Sequence, residues 1–383
     1  MGCVSAPADP VAAHLRRELV ARVQRVPDAA GVFAEASPRL RRLVPFDGAA
    51  WVSTDPGTGL PTAPSRIEQI GHPDVDQCLG YWRRELLAPD VNLYRDLARA
   101  DVPAAALRAT ARDPERSARF RDYVRPFGFD DELRAVLRVG DTPWAVLALY
   151  RRPGQRPFSA EETALVAGLS APLGEALRRL ALPASRRSLP RDRPGMLLFD
   201  RDARLTAADD QARAWLDELP PDQLLPSDLG VRVPMWVMGT VLAALAARHG
   251  RGDGSGRARV RSTRGTWLVA HAACLRDSAG NVSGAVVAIE PATSSQIAPL
   301  LVQAYGLSER EREITSLIAR GAATAEIADE LSLSVHTVRD HVKAVFAKVG
   351  VSTRGELVAT LFADHYAPEH LREVVRVDDG DDS

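Results

Sequence analysis

The chain has 383 residues, 45% of them hydrophobic and 26% charged, with 49 basic side chains against 50 acidic ones. That length exceeds one ordinary core and predicts two or three domains, and the apolar fraction excludes a wholly disordered chain. A formal net charge of −1 excludes a global field that would draw the molecule onto nucleic acid or membrane, so any such contact must come from a local patch.

Cys3, Cys78 and Cys274 lie far apart, which excludes a disulfide scaffold and a CxxC metal knuckle and fits a reducing compartment. The first residues lack a basic stretch followed by an apolar core, so no secretion signal is expected. The longest apolar run, Val233 to Ala247, is too short and too rich in alanine to span a bilayer. A cytoplasmic protein without membrane contact, cofactor or metal is expected. His72 and Cys78, with Asp74 and Asp76 between them, read as a polar loop rather than a metal site.

In chain order, Ala49–Ser53 predicts a strand, stopped by the turn Asp55-Pro-Gly-Thr-Gly59. Glu132–Val139 alternates, Gly140-Asp141 signals a hairpin, and Trp144–Tyr150 predicts a more buried strand. Ser159-Ala-Glu-Glu162 is a capping box opening a helix to about Leu180. In order and spacing, residues 1–182 resemble a GAF-type sensor domain. Residues 183–194, with their prolines and arginines, read as a linker.

Gly195–Asp200 predicts a strand, Ala208–Leu219 and Met235–Ala247 predict helices, and three strands follow, at Arg257–Arg261, Trp267–Leu275 and Gly284–Ile289. Strands, helices, then three strands make residues 195–291 resemble a PAS-like sensor. A short apolar connector, Ile297–Tyr305, leads to a third domain over 300–366, and an acidic tail occupies 367–383.

The third domain predicts four short helices. Ser308-Glu-Arg-Glu311 is a capping box, and Gly321 ends the first helix in a positive-φ conformation. Thr324 is expected to cap the second helix, Ser334 the third, with Gly350 closing it, and Thr353-Arg-Gly-Glu356 opens the fourth. On the third helix Val335, Val338, Val342, Val345, Phe346 and Val349 fall on one side. The opposite side carries small, polar and basic residues, a surface that enters a major groove without steric block.

Arg310-Glu311 with Glu313, Gly321, Glu326-Ile-Ala328, Thr337-Val338, His341, Lys348 and Gly350-Val351 closely resemble the signature of the LuxR-type helix-turn-helix family. The whole is then a multidomain protein. Its α+β sensor-like amino-terminal domains, GAF-like and then PAS-like, precede an all-α four-helix LuxR-type domain. The resemblance implies a transcriptional regulator acting on double-stranded promoter DNA. It places Arg339, Asp340 and Lys343 at base-reading positions, and Ser334, Thr337, His341 and Lys348 at backbone-contact or positioning ones. The family often carries Asn-Lys where Thr324-Ala325 stand here, so a basic phosphate contact is missing. Asp340 repels phosphate but accepts from a cytosine amino group.

From Ala304 to Phe362 there are 7 Lys/Arg against 8 Asp/Glu, so one copy binds weakly and a homodimer is expected on DNA. Leu357, Leu361 and Phe362 are the expected dimer contact, with plain core packing as the alternative. No lysine precedes Lys343, so a phosphoacceptor receiver is not expected, and Gly250–Gly256 lacks the lysine of a P-loop. Trp51, Tyr81, Trp82, Phe127 and Trp144 are candidates for an apolar sensor pocket, with aromatic core as the default. A small-molecule ligand or a protein partner at the amino-terminal domains would supply the signal. Two other readings stay open: an enzymatic or redox activity there, with Cys78 as nucleophile, or dimerisation alone.

Overall fold

The computed structural model describes residues 10–71, 75–182, 193–220, 222–249 and 254–362. The chain divides into two compact units at Pro291/Ala292. His72, Asp74, residues 183–192 and the tail from 363 lie outside the described residues.

The first unit opens with helices α1 (Pro10–Val23) and α2 (Ala29–Leu43), the latter capped by Asp28, whose carboxylate accepts from the Gly31 amide. Strands β1 (Gly48–Thr54) and β2 (Pro61–Glu68) form a hairpin, followed by α3 (Val75–Leu87) and α4 (Tyr94–Leu97). Then come β3 (Ala104–Ala106), α5 (Leu107–Thr110), β4 (Asp131–Val139), β5 (Thr142–Arg151) and α6 (Ala160–Leu180). The Ser159/Glu162 box closes in both directions at the start of α6. The sheet order is β2-β1-β5-β4-β3, with every pair antiparallel. Alternation along β1 sends Trp51 to one face, where its ring lies 5.8 Å from that of Phe33. Ala50 and Val52 face the other side, toward α3 and α4. The alternation expected for β4 is masked, because Asp131–Leu137 is buried on both faces.

The second half of this unit contains β6 (Gly195–Asp200), β7 (Leu205–Ala208), α7 (Asp210–Asp217), the short pair β8 (Leu224–Leu225) and β9 (Val233–Pro234), and α8 (Met235–Leu245). It ends with β10 (Ser255–Arg261), β11 (Trp267–Arg276) and β12 (Val282–Pro291). The sheet order is β10-β11-β12-β6-β7. With the five strands of each sheet counted in chain order, and the second sheet followed from its β7 end, both run second, first, fifth, fourth, third. The unit therefore shows the same strand order in both of its five-stranded sheets.

The two halves share a core. Ala63, Cys78, Leu79 and Trp82 pack in one apolar cluster with Trp215, Trp236, Val237 and Val241. This explains the apolar run of α8: it packs against β10, β11 and β12 as well as β2 and α3, so it is hydrophobic all round. Glycine permits the approach, since a Cβ at Gly239 would lie 2.7 Å from Pro61 Cγ.

Beside this core the turn after β1 docks on β10. Asp55, fully buried, accepts from Arg259 Nε and Nη2 at 2.7 Å each and from the Arg259 amide at 2.9 Å. The Gly57 and Thr58 amides complete its shell, and the Thr62 hydroxyl donates to the Arg259 carbonyl at 3.0 Å. The expected GAF-like and PAS-like regions are thus two halves of one compact body.

The second unit comprises α9 (Ser294–Ala304), α10 (Glu309–Ala319), α11 (Thr324–Glu330), α12 (Val335–Val349) and α13 (Arg354–Phe362). The expected apolar connector is the helix α9, and it packs on α13. Gly321 and Gly350 take φ of 88° and 74°, as the helix ends require.

Candidate nucleic-acid interface

The helix-turn-helix consists of α11, the turn Leu331–Ser334 and α12. Ile327, Ala328, Val338 and Val345 are buried between them and α10, which fixes the face α12 presents outward. Val342 and Phe346 are half-buried. Val335 departs from the expected apolar side: it is 39% exposed, because it lies in the first turn, ahead of the crossing point marked by Val338.

Ser334 caps α12 as expected. Its hydroxyl accepts from the Thr337 amide at 3.0 Å and lies 2.8 Å from the Thr337 hydroxyl. The Thr337 amide is thereby engaged, and of the two hydroxyl hydrogens one is shared within the pair, which leaves the other to donate outward. Thr324 does not cap α11. The cap position is Ala323, whose amide donates to Glu326 Oε2 at 2.6 Å. The Thr324 hydroxyl instead accepts from Arg354 Nη2 at 2.8 Å, while Arg354 Nη1 donates to the Ala322 carbonyl at 2.7 Å. Arg354 thus clamps the start of α13 to the start of α11, a role that its place inside a capping box concealed.

Along the outward face Arg339, Asp340 and Lys343 are all exposed, with Arg339 and Lys343 one turn apart. Among the described residues neither cation has a hydrogen-bond or ion-pair partner, so both are available as donors on a helix face that fits a major groove. Asp340 lies 3.8 Å from His336 Nε2. His341 is half-buried on the flank.

Lys348 is committed within the fold. Its ammonium donates to Glu311 Oε2 at 2.6 Å and to the Gly306 carbonyl at 3.3 Å. The same Glu311 oxygen accepts from the Ser308 amide at 2.7 Å, closing the expected capping box. Burial works against the Glu311 charge, but the Lys348 ammonium and the Ser308 amide and hydroxyl outweigh it and hold its carboxyl below the usual range. Since the folded value is lowered, this contribution is complete above the unfolded carboxylate range, about pH 4.3, and is lost as the pH falls through the folded value. Glu311→Gln is therefore expected to lower the urea midpoint at neutral pH and to flatten its acid dependence. Circular dichroism titrations from neutral to about pH 3 check this; equal acid slopes in both proteins would contradict it.

Leu357 and Leu361 are each 1% exposed, and the helix that carries them packs against α9 and α10. They are core, not a dimer contact, because α9 supplies the partner that the four-helix reading lacked. The side chain of Phe362 lies outside the described residues.

The family described as "Bacterial regulatory proteins, luxR family" matches residues 306–361. The spore germination protein GerE of Bacillus subtilis (strain 168) is 42% identical over 55 residues, which are 14% of this chain and 74% of that protein. The chain belongs to the LuxR family. This LuxR-family protein is a DNA-binding transcriptional regulator with a mixed α/β amino-terminal region. The probable HTH-type transcriptional regulator GfsR of Streptomyces halstedii is 30% identical over 185 residues, 48% of this chain and 66% of that one. The solved GAF domain of the cyanobacteriochrome TePixJ aligns with 41% of this chain and 94% of its own at 16% identity, with a TM-score of 0.29. That score is too low to bear on the fold.

Proposed function

We propose that this LuxR-family regulator binds a specific operator as a homodimer, with α12 in the major groove and Arg339, Asp340 and Lys343 at base edges. The observation that carries this is the pair of exposed cations Arg339 and Lys343, unpartnered among the described residues, on the outward face of a helix whose other side is locked into the bundle. Ser334, Thr337 and His341 lie along the phosphate backbone. Lys348 acts as a positioning residue, holding α12 to the start of α10.

Residues 300–366 are the DNA-binding domain, and residues 1–182 and 195–291 are the GAF-like and PAS-like halves of the sensing unit, joined by 183–194. The repeated strand order supports the second assignment. In this reading the protein is a cytoplasmic non-enzyme. Among the described residues no helix is long and apolar enough to cross a membrane. A ligand at the sensing unit changes how two DNA-binding domains are presented, through its differential affinity for the two arrangements.

Selection from a random duplex pool with the full-length protein tests the reading. It is expected to enrich paired half-sites about 10 base pairs apart, centre to centre. Enrichment of no sequence would overturn it.

A further inference from the structure

The first unit holds a partly open cavity of about 40 Å³, lined from both of its halves. Since one water needs about 10–15 Å³, this admits a few non-hydrogen atoms. Six aromatic side chains line it: Tyr81, Trp82, Tyr94, Tyr123, Tyr150 and Trp236. Of the five aromatics expected for a sensor pocket, Tyr81 and Trp82 line the cavity. Trp51 is on the opposite face of the sheet, Trp144 is buried elsewhere, and Phe127 touches the cavity only through Tyr123, its ring 4.7 Å away.

One carboxylate stands on this aromatic wall. Asp222 Oδ1 accepts from the Ser65 hydroxyl, and Oδ2 is buried without a hydrogen-bond partner among the described residues. Burial pushes the carboxyl up to about 6, although the Ser65 hydroxyl and the Gln223 and Trp236 amides favour its charge. Trp236 is 1% exposed, and its Nε1 too has no hydrogen-bond partner among the described residues.

The neighbouring ion network supplies no spare cation. Arg134 pairs with Glu85 at 2.6 Å and lies over the Tyr94 ring, 3.5 Å from its centroid. Arg119 pairs with Glu132 at 2.8 Å and approaches Asp90 at 3.9 Å. Three carboxylates thus face two guanidiniums before Asp222 is counted.

We infer that this cavity binds a small organic ammonium ion, its positive nitrogen on Asp222 Oδ2 and its alkyl groups against the aromatic faces. A carboxylate desolvated on an aromatic wall attracts a cation through both its charge and the ring quadrupoles. Hydroxyl-bearing neutral molecules and plain water fit the volume but leave the charge uncompensated. The inference rests on reading this unit as the sensing half.

Thermal unfolding of the full-length protein tests it, with tetramethylammonium and ethylammonium as probes, tert-butanol as the neutral control and sodium chloride at matched ionic strength. The expected result is a saturable rise in midpoint with one or both ammonium ions and none with tert-butanol. Asp222→Asn, which removes a buried charge and so should fold, is expected to weaken that response about tenfold or more. No saturable response to either ion, an equal response to tert-butanol, or an undiminished response in Asp222→Asn would overturn the inference. Operator binding measured on the same samples separates the readings. Intact DNA binding without ammonium binding rejects the cavity assignment alone, and ammonium binding without sequence-selective DNA binding rejects the operator reading alone.

Discussion

Asp55→Ala is expected to destabilise the amino-terminal unit by about 3–5 kcal/mol, the usual cost of stranding a buried charge. The substitution leaves Arg259, 2% exposed, facing an emptied site, and it deprives the Gly57 and Thr58 amides of their acceptor. Because the pair joins the hairpin of the first sheet to β10 of the second, the loss also weakens the docking of the two halves. Denaturant unfolding of the full-length protein is expected to show a lower midpoint, and amide exchange in β2 and β10 to accelerate before that in β4 and β5. Replacing both partners by apolar residues of similar volume should recover much of the stability, since the pair's value lies mainly in mutual compensation. A midpoint unchanged in Asp55→Ala would show that this ion pair is not needed to hold the halves together.

Arg339→Ala and Lys343→Ala are each expected to weaken binding to the selected operator by about 1–3 kcal/mol and to relax base preference at the positions they face. Both side chains are exposed and unpartnered among the described residues, so truncation removes no internal contact and leaves the fold intact. Loss of affinity with preserved thermal stability would therefore report DNA contact directly. Uniform weakening across all sequences, with a reduced salt slope, would reassign the residue from base edge to phosphate. Asp340→Asn is expected to change preference more than affinity, because it converts an acceptor-only group into one that also donates. Competition titrations against single-base variants of the operator measure all three.

Local signals were legible where the chain needs only its neighbours. The Ser159 and Ser308 capping boxes, Gly321, Gly350 and the Ser334 cap follow from spacing within a few residues, and each stands where expected. Strands β1, β5, β6, β11 and β12 declared themselves by apolar runs between turns. Strand β2 did not, since Pro61, Pro64, Arg66 and Glu68 break its pattern; it is an edge strand whose partner sets its conformation. What escaped reading depends on residues remote in sequence. Asp55 and Arg259 are 204 positions apart, and Asp222 meets Ser65 across 157. Leu357 and Leu361 carried a correct apolar signal, but only α9 decides that it is spent inside the unit. The acceptors of Arg354 and Lys348, the Ala322 carbonyl and Glu311, emerge only when the helices pack.

Methylation interference on the selected operator tests the insertion of α12 most directly, because guanine N7 faces the major groove. Methylating a guanine within each half-site is expected to block binding of the wild-type protein, and Arg339→Ala or Lys343→Ala to abolish the effect at one of these guanines. Specific binding that tolerates N7 methylation throughout a guanine-containing site would contradict the placement of this helix in the major groove.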